Sequence, residues 1–453
     1  MTKEEFYDIV QELFVPLFTG SYLAGEIESS SRDLEVALGK SNSILLKPSK
    51  TDNYRLVLKR GQAFKTFEVN LIKSILNELN YIAELQIGDN IYKNQLKEMA
   101  IEKALVESIT AEGADTILGI LRGMELWATK TYEGENLGFG VLINLAASSE
   151  DKAGVRYNKI LNNDYFSLFT DGSKSFLEFD INGYMLGYVA LKNPKKVATI
   201  SPITYDNVAR ICGEKRVGMV LTQKGDILIF FARQIIFAKR NGHWSVYSHD
   251  EIIRLLQNNV STSARQIRRA IYNAALDCSF SYHGACIAYV DKDKTRDALM
   301  HIDAADIISE EHFNMKRDLE LAEAEKIYNL ANAKSIKEKY DMCYQDFLTQ
   351  HQFIKTMMLR RVISGRKLFE LDRQFIEEMA SVDGAIIVDY DGTIIAVGAI
   401  VKIEAGSKGG GRLAATQTLA KYGVAIKVSQ DGIMQGFTYD KKIKKVKEIF
   451  YVG

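Results

Sequence analysis

The sequence has little proline and no excess of charge of either sign. Lysine plus arginine and aspartate plus glutamate each number 58 in 453 residues, so the formal net charge is zero. A general attraction to nucleic acid or to an anionic membrane surface is therefore not expected, and any phosphate binding has to be local. No apolar run approaches the length of a membrane-spanning helix, which argues against a membrane protein.

Cysteine is also scarce, with Cys212, Cys278, Cys286 and Cys343 in the whole chain. None of them forms a CxxC pair, so neither a zinc site nor a thioredoxin-like motif is expected. The histidines are scattered, and no Ser/His/Asp arrangement is visible. This cysteine usage is typical of a reducing cytoplasm. The first residues, MTKEEFYDIVQELFVPLF, predict an acidic amphipathic helix without a signal-peptide pattern, so we expect a cytoplasmic protein.

The few prolines are confined to one part of the chain, since Pro16, Pro48, Pro194 and Pro202 all precede residue 203. This asymmetry predicts two halves of different construction. Within residues 1–203, apolar spacing that switches from two to about 3.6 predicts strands and helices, and hence a separate N-terminal α/β domain. No residue pattern in this domain indicates a particular chemistry.

The second half, residues 204–440, predicts a domain with hairpins, helices and a buried strand. Turn pairs that end in glycine predict hairpins in both halves, at residues 171–172, 182–183, 224–225 and 241–242. Charge-rich residues from about 300 to 345 predict a helical insertion, for which a solvated helix pair is favoured. The alternative is that the helices at 309–380 form a homodimer or bind an effector partner. Residues 441–453 predict a basic C-terminal tail, with a solvated edge strand favoured over a phosphate role.

The most informative segment is SVDGAIIVDYDGTIIAVGAIVKIEAGSKGGGRLAATQTLAKYG, residues 381–423. Its GSKGGG loop is followed by good helix formers, and Gly423 stands where a C-terminal cap is expected. Consecutive glycines can point their N–H groups one way and bind an anion, here at a helix N-terminus whose dipole favours an anion too. Arg412 adds a bidentate phosphate donor and Lys408 a point charge. No GK[ST] follows, so the loop is not a Walker A motif, and a flexible surface loop is the alternative interpretation.

Two further polar segments are expected at the same edge of the predicted sheet. Asp383-Gly384-Ala385 joins a helix to a strand, where a carboxylate can bind a magnesium ion or a ribose hydroxyl and small residues let a ligand approach the backbone. Ser429-Gln430-Asp431-Gly432 is a turn by composition. Taken singly, each segment is better explained as an ordinary turn.

Taken in order, these segments resemble the diadenylate cyclase (DAC) domain of the DNA-integrity scanning protein and its membrane-bound relatives. That family carries Asp-Gly-Ala at a strand start, Gly-Thr-Arg-His-Arg-Ala-Ala at a helix start, and then a Ser-Glu-Glu-type turn. The matching stretches here are Asp383–Ala385, Gly409–Ala415 and Ser429–Gly432, within a resemblance over residues 216–440 that is interrupted by the insertion. The resemblance implies a mixed central sheet flanked by helices in the C-terminal half.

The sequence departs from the family where the family's chemistry is concentrated. Gly411-Arg412-Leu413 stands where the family has Arg-His-Arg, and Gln430 stands where an acid is usual. In the active enzymes two ATP molecules face each other across a dimer, and the reaction needs metal ions and positive charge at the phosphoryl transition state. The resemblance to the degenerate, DACNV-type members therefore implies a sensor that binds a nucleotide or a cyclic dinucleotide. An active divergent cyclase that makes cyclic di-AMP from two ATP molecules, and a scaffold without a ligand, are the alternatives.

The sensor interpretation assigns nucleotide-binding roles to residues of all three segments. They are Asp383, Gly384, Ala385, Lys408, Gly409, Gly410, Gly411, Arg412, Thr416, Ser429, Gln430 and Asp431. Asp383 is catalytic and binds Mg²⁺ or Mn²⁺ only in the cyclase alternative, and otherwise no cofactor is expected.

Overall fold

The computed structural model describes residues 2–30, 32–39, 42–85, 90–148, 154–163, 169–191, 197–257, 260–326, 330–350, 353–403 and 410–453. The chain divides into two units, unit 1 (Met1–His249) and unit 2 (Asp250–Gly453). Each unit combines helices with a sheet that contains both parallel and antiparallel strand pairs. The mixed α/β class expected from the sequence is therefore confirmed.

Unit 1 begins with a short helix whose first turn is closed by a reciprocal capping box between Thr2 and Glu5. Its helices are α1 (Lys3–Ile9), continued by a π-helical turn at Val10–Phe14, α2 (Val15–Leu17), α3 (Thr66–Glu84), α4 (Asn90–Ile109), α5 (Ala114–Ala128), α6 (Tyr157–Leu161) and α7 (Asp206–Ile211). Its strands are β1 (Tyr22–Glu28), β2 (Val36–Leu38), β3 (Ser43–Leu46), β4 (Tyr54–Lys59), β5 (Thr131–Tyr132), β6 (Glu135–Asn136), β7 (Phe139–Asn144), β8 (Ser175–Asp180), β9 (Met185–Ala190), β10 (Arg216–Leu221), β11 (Ile227–Phe231), β12 (Gln234–Arg240) and β13 (His243–Val246).

The strands of unit 1 form two larger sheets and one small hairpin. The order is β1-β4-β3-β2 in the first, β13-β12-β11-β10-β7-β8-β9 in the second, and β5-β6 in the hairpin. Apolar side chains of α3 and α5, such as Ile75 and Ile120, are fully buried in a core that also contains residues of both larger sheets, such as Leu58 and Ile143. Burial of such a side chain stabilises the fold by about 1.5–3 kcal/mol.

The division between the units lies later in the chain than the sequence predicts. We expected a boundary at 203/204, but the structure places it at 249/250. The reason is that β10 pairs with β7 along its whole length, from Arg216 opposite Asn144 to Leu221 opposite Phe139. The β10–β13 meander therefore completes the sheet of unit 1 and does not begin the second domain.

Unit 2 contains the segments that the sequence singles out. Its helices are α8 (His249–Gln257), which begins at the boundary residue, α9 (Thr262–Ser281), α10 (Thr295–Leu299), α11 (Glu310–Lys326), α12 (Leu330–Tyr340), α13 (Tyr344–Gln350), α14 (Ile354–Ile363), α15 (Arg373–Ser381) and α16 (Gly411–Ala420). Its strands are β14 (Ala285–Val290), β15 (Ala385–Val388), β16 (Ile394–Ala399), β17 (Gly423–Val428), β18 (Met434–Asp440) and β19 (Lys445–Val452).

The six strands of unit 2 form one sheet in the order β16-β15-β14-β17-β18-β19. Strands β14 and β15 are parallel, and every other neighbouring pair is antiparallel. Residues of β14 are buried along the whole strand, as expected for a central strand covered on both faces. A mixed sheet with helices is therefore present in the C-terminal half, which is the coarse arrangement that the sequence predicts.

The helical insertion belongs to the core of unit 2 and is not a solvated helix pair. Phe313 of α11 is fully buried, and its ring centroid lies 5.6 Å from that of Tyr340 and 4.9 Å from that of Phe347. These side chains belong to one apolar cluster with Ile387 and Ile395 of the sheet. The charge-rich sequence hides this contact because α11 buries few apolar residues.

A buried network of polar contacts connects the start of α11 to the turn between β15 and β16. Ser309 Oγ lies 2.8 Å from His312 Nδ1, and His312 Nε2 lies 3.3 Å from an Asp389 carboxylate oxygen. The other Asp389 oxygen accepts hydrogen bonds from the backbone N–H groups of Asp391 and Thr393. His312 and Asp389 are only 2% and 3% exposed, so their buried contact attaches α11 to the sheet.

The C-terminal residues are a strand of the sheet and not a tail. Residues 445–452 form β19, which pairs with β18 from Asp440 opposite Lys445 to Met434 opposite Val452. Phe450 is fully buried, and its ring covers the Cα of Gly436 on the neighbouring strand. The boundary at 440/441 is therefore corrected, while the edge-strand interpretation is confirmed.

Candidate functional site

The three polar segments of the sequence meet at one edge of the sheet of unit 2. Register pairs Ala285 at the start of β14 with Val428 at the end of β17, and Cys286 with Ala385 at the start of β15. The residues just before β14 and β15 and just after β17 therefore share this edge. We call this end of the strands the binding edge; it is distinct from the outermost strands β16 and β19.

Helix α16 delivers its N-terminus to the binding edge. It ends at Ala420, and β17 begins at Gly423 opposite Val290, which lies at the far edge of the sheet. The first turn of α16, with Gly411 and Arg412, consequently lies at the near edge. Gly410 precedes the helix with a φ of +86°, a conformation that favours glycine. Lys408 and Gly409 of the predicted loop lie outside the described residues.

Arg412 is the cationic group of the binding edge. Its Nη2 lies 3.4 Å from a carboxylate oxygen of Asp383, whose side chain is 87% exposed. The guanidinium also lies against Gly284, where a Cβ would come within 2.5 Å of Nη1. Its Nε is buried and has no hydrogen-bond partner among the residues that the structure describes. Arg412 thus rests on Gly284, with a long contact to one exposed carboxylate and one-third of its side chain exposed.

Gly384 has a structural reason to be glycine. Its φ is +109°, and a Cβ would meet the backbone carbon of Gly398 on β16 at 2.4 Å. Ala385 is the first residue of β15, and its side chain is 1% exposed. A ligand at the binding edge would therefore contact these two residues through the backbone alone.

Thr416 lies on the face of α16 that packs against β14 and is not exposed at the binding edge. It is fully buried, its Oγ1 donates to the carbonyl of Arg412 at 2.7 Å, and it lies 3.2 Å from Cys286 Sγ. Burial raises the pKa of the Cys286 thiol to about 11, so this cysteine stays protonated at neutral pH. Both residues attach the helix to β14 and thereby position Arg412.

The Ser429–Gly432 turn closes the β17–β18 hairpin at the binding edge. The backbone carbonyl of Ser429 accepts a hydrogen bond from Gly432 N–H at 3.0 Å, and an Asp431 carboxylate oxygen accepts one from Ile433 N–H at 3.2 Å. The hydroxyl of Ser279 on α9 donates to the Gly432 carbonyl and anchors the turn. The side chains of Gln430 and Asp431 are exposed there.

Sequence reasoning missed three residues of this region. Gly284 is the surface on which Arg412 rests, and His283 beside it lies with Nδ1 3.4 Å from a carboxylate oxygen of Glu377 on α15. The signal in the sequence is the His-Gly pair directly before the buried strand β14. The His283 side chain is half exposed.

Among the described residues of the binding edge, no set of protein groups is placed to hold a metal ion by itself. Asp383 lies 3.4 Å from Arg412, which competes with a metal ion for the same oxygen. Across the described part of the chain, no group of three or more histidine, cysteine, aspartate or glutamate residues is placed to hold a metal ion. Mg²⁺ usually completes its shell with water and substrate phosphates, so Asp383 fits one ligand of such a shell and no more.

Comparison of the chain with protein-family models, with curated proteins and with solved structures found no match. The resemblance to the DAC domain therefore stays a prediction from the sequence. In the described residues no helix combines the length and the apolarity needed to cross a membrane.

Proposed function

We propose that unit 2 is a cytoplasmic receptor domain that binds a nucleotide or a cyclic dinucleotide at the binding edge. The observation that carries the proposal is Arg412, whose guanidinium rests on Gly284 and makes only a long, 3.4 Å contact with Asp383. The Arg412 side chain is one-third exposed, so a phosphate oxygen can reach the guanidinium from the binding edge.

The position of Arg412 on α16 supports an anionic ligand. The first backbone N–H groups of a helix have no partner within the helix, and the helix dipole favours negative charge at that end. Arg412 is the second residue of α16, directly after Gly410 and Gly411. A phosphate beside Arg412 would thus meet a guanidinium and a helix N-terminus together.

The charge at the binding edge favours binding over catalysis. Phosphoryl transfer needs cations or metal ions that neutralise charge developing in the transition state, and removal of one such group commonly costs about 10²–10³ in rate. Here Leu413 stands where the resembled family has a second arginine, and Asp383 lies against the remaining cation. We therefore assign the site to recognition of a ligand.

The test is a thermal-shift screen of the full-length protein with adenine and guanine nucleotides and their cyclic dinucleotides, followed by calorimetry of the hits. We expect one ligand to raise the melting temperature and Arg412→Ala to abolish that rise. Arg265→Ala, at an exposed arginine of α9 in the same unit, is the matched control and should retain binding. Absence of any ligand that depends on Arg412 would refute the proposal.

A second assay separates the receptor from a cyclase. The full-length protein is incubated with ATP and Mn²⁺ or Mg²⁺ at high protein concentration, and the products are separated by chromatography. We expect unchanged ATP. Formation of cyclic di-AMP that is lost in Asp383→Asn would instead establish a divergent diadenylate cyclase.

A further inference from the structure

Helix α14 exposes a row of large apolar side chains beside a cavity of about 1200 Å³ in unit 2. Ile354, Met358 and Val362 are 74%, 59% and 45% exposed and follow one another at intervals of four residues. Side chains at this spacing lie along one face of a helix. They form an apolar row about 12 Å long, which corresponds to roughly two turns of a helix laid against it.

The opposite face of α14 is firmly attached, so the exposed row is not a consequence of loose packing. Thr356 is buried and donates to the carbonyl of Ala305 at 2.7 Å. Lys355 donates to the carbonyl of Gly398 at 3.1 Å and lies 3.2 Å from an Asp306 carboxylate oxygen. A well-anchored helix with a contiguous exposed apolar row is typical of an interaction site.

The groove beside this row carries an excess of positive charge. Its lining includes Arg360, Arg361 and Arg366, with Glu310 as the one acidic residue among the lining side chains. Arg360 uses Nη2 for an ion pair with Glu310, while its Nη1 is buried without a hydrogen-bond partner among the described residues. The Arg360 guanidinium also lies over the Tyr344 ring, 4.5 Å from its centroid, so the positive charge accessible to a partner is that of the exposed Arg361 and Arg366, for which carboxylates are the matching groups.

We propose that this groove, formed by α14 together with Glu310 and Ile394, binds an acidic amphipathic helix of a partner protein. Apolar side chains of that helix, spaced three or four residues apart, would cover Ile354, Met358 and Val362. Its carboxylates would pair with Arg361 and Arg366, which are exposed. The inference concerns a surface separate from Arg412 and Asp383 and does not depend on a nucleotide.

Two other occupants fit this groove less well. In a two-fold dimer the same surface patch is used by both copies, so a second copy of this chain would bring an equal excess of positive charge to this groove. An anionic bilayer would match the charge, but a flat surface leaves a concave groove of this volume unfilled.

The test selects displayed helical peptides on the full-length protein and counter-selects on the Met358→Glu variant. We expect selected peptides with net negative charge and apolar residues at intervals of three to four. Their affinity should fall at least tenfold in Met358→Glu and in Arg361→Glu. Leu126→Glu, which places the same charge at a 65%-exposed apolar residue of unit 1, is the matched control and should bind as the parent does.

Each other outcome overturns the proposal. No peptide that depends on Met358, or selected peptides that are neutral or basic, would exclude an acidic helix as the occupant. A dimer in light scattering that Met358→Glu dissociates would assign the row to a second copy. Binding to phosphatidylserine vesicles that the same variant abolishes would assign it to a membrane. Equal melting temperatures of the variants ensure that the loss reflects the surface and not unfolding.

Discussion

The guanidinium of Arg412 lies on the bare backbone of Gly284. A Cβ at position 284 would approach Nη1 to 2.5 Å and Cζ to 2.9 Å, closer than atoms without a bond can lie. The obstructing atoms form the far end of a flexible side chain and not backbone. The residue before a buried strand thus sets the position of the cation at the binding edge.

We predict that Gly284→Ala displaces Arg412 without unfolding the protein. Because the arginine can swing toward solvent, the melting temperature should change little, while affinity for the ligand found in the screen should fall by about tenfold, equivalent to about 1.4 kcal/mol. Calorimetry measures the affinity and differential scanning fluorimetry the melting temperature.

The matched controls are two other glycines. Gly213→Ala introduces a methyl group with nothing within 4 Å and should change neither quantity. Gly423→Ala would meet the carbonyl oxygen of Tyr289 at 2.2 Å and should lower the melting temperature. Retention of full affinity in Gly284→Ala would show that the ligand does not use Arg412 in its present position.

Asp383 competes with an anionic ligand for Arg412, so its neutralisation should strengthen binding in the absence of metal. The pair is long, at 3.4 Å, and Asp383 is largely exposed, so the contact contributes at most about 1 kcal/mol. We predict that Asp383→Asn raises affinity by about twofold to fivefold in EDTA. If Asp383 instead holds a metal ion on the ligand, the same variant will weaken binding when Mg²⁺ is present, and titrations with and without Mg²⁺ distinguish the two roles.

Local signals in the sequence predicted the hairpins at residues 182–183, 224–225 and 241–242 and the convergence at the binding edge, whereas residues 171–172 precede β8, which runs parallel to β7, and do not form a hairpin. Gly183, Gly225 and Gly242 all have φ near +80° at hairpin turns, a left-handed backbone conformation that favours glycine. The placement of β10 in the sheet of unit 1 was not predictable, because its pairing with β7 joins residues far apart in sequence and both strands are apolar except at one end.

The buried face of α11 escaped prediction for a different reason. Its interior positions include Lys316 and His312, which are buried because Glu320 and Asp389 pair with them. Apolar periodicity cannot reveal a face that is partly ionic. The same applies to Gly284, whose role depends on a residue far along the chain that folding brings to it.

The ion pair of Lys316 and Glu320 should make the stability of unit 2 depend on pH. Burial by itself raises the pKa of Glu320, but hydrogen bonds from Lys316 at 2.8 Å and from the Tyr340 hydroxyl at 2.7 Å outweigh it. The pKa of Glu320 therefore lies below its ordinary value of 4.5. A carboxylate with a lowered pKa stabilises the fold above its unfolded pKa, and this contribution is lost as the pH falls through the folded pKa.

We predict that Glu320→Gln destabilises unit 2 at pH 7 by about 2–4 kcal/mol, because it leaves the buried ammonium of Lys316 unpaired. The difference from the parent should shrink as the pH falls from 4.5 through the lowered pKa of folded Glu320, because the parent then becomes protonated at this residue as well. Urea titrations read by pulsed hydrogen exchange in peptides of unit 2 measure this difference. Glu323→Gln, at an exposed position of α11, is the control, and a difference that stays constant down to pH 3 would contradict the assignment.

The last strand, β19, should be essential to unit 2 even though its sequence is basic. Phe450 is fully buried, stacks edge-on to Tyr272 of α9 at 6.0 Å, and covers Gly436, while Val452 is 2% exposed. Phe450→Ala should lower the free energy of unfolding of unit 2 by about 3–5 kcal/mol, as usual for loss of a buried aromatic ring. Lys445→Ala, on the same strand but exposed, should leave this free energy unchanged.

If residues 441–453 were a tail, their deletion would leave the rates of hydrogen exchange in β17 and β18 unchanged. Because β19 covers the edge of β18, we expect the deletion to expose both strands to exchange.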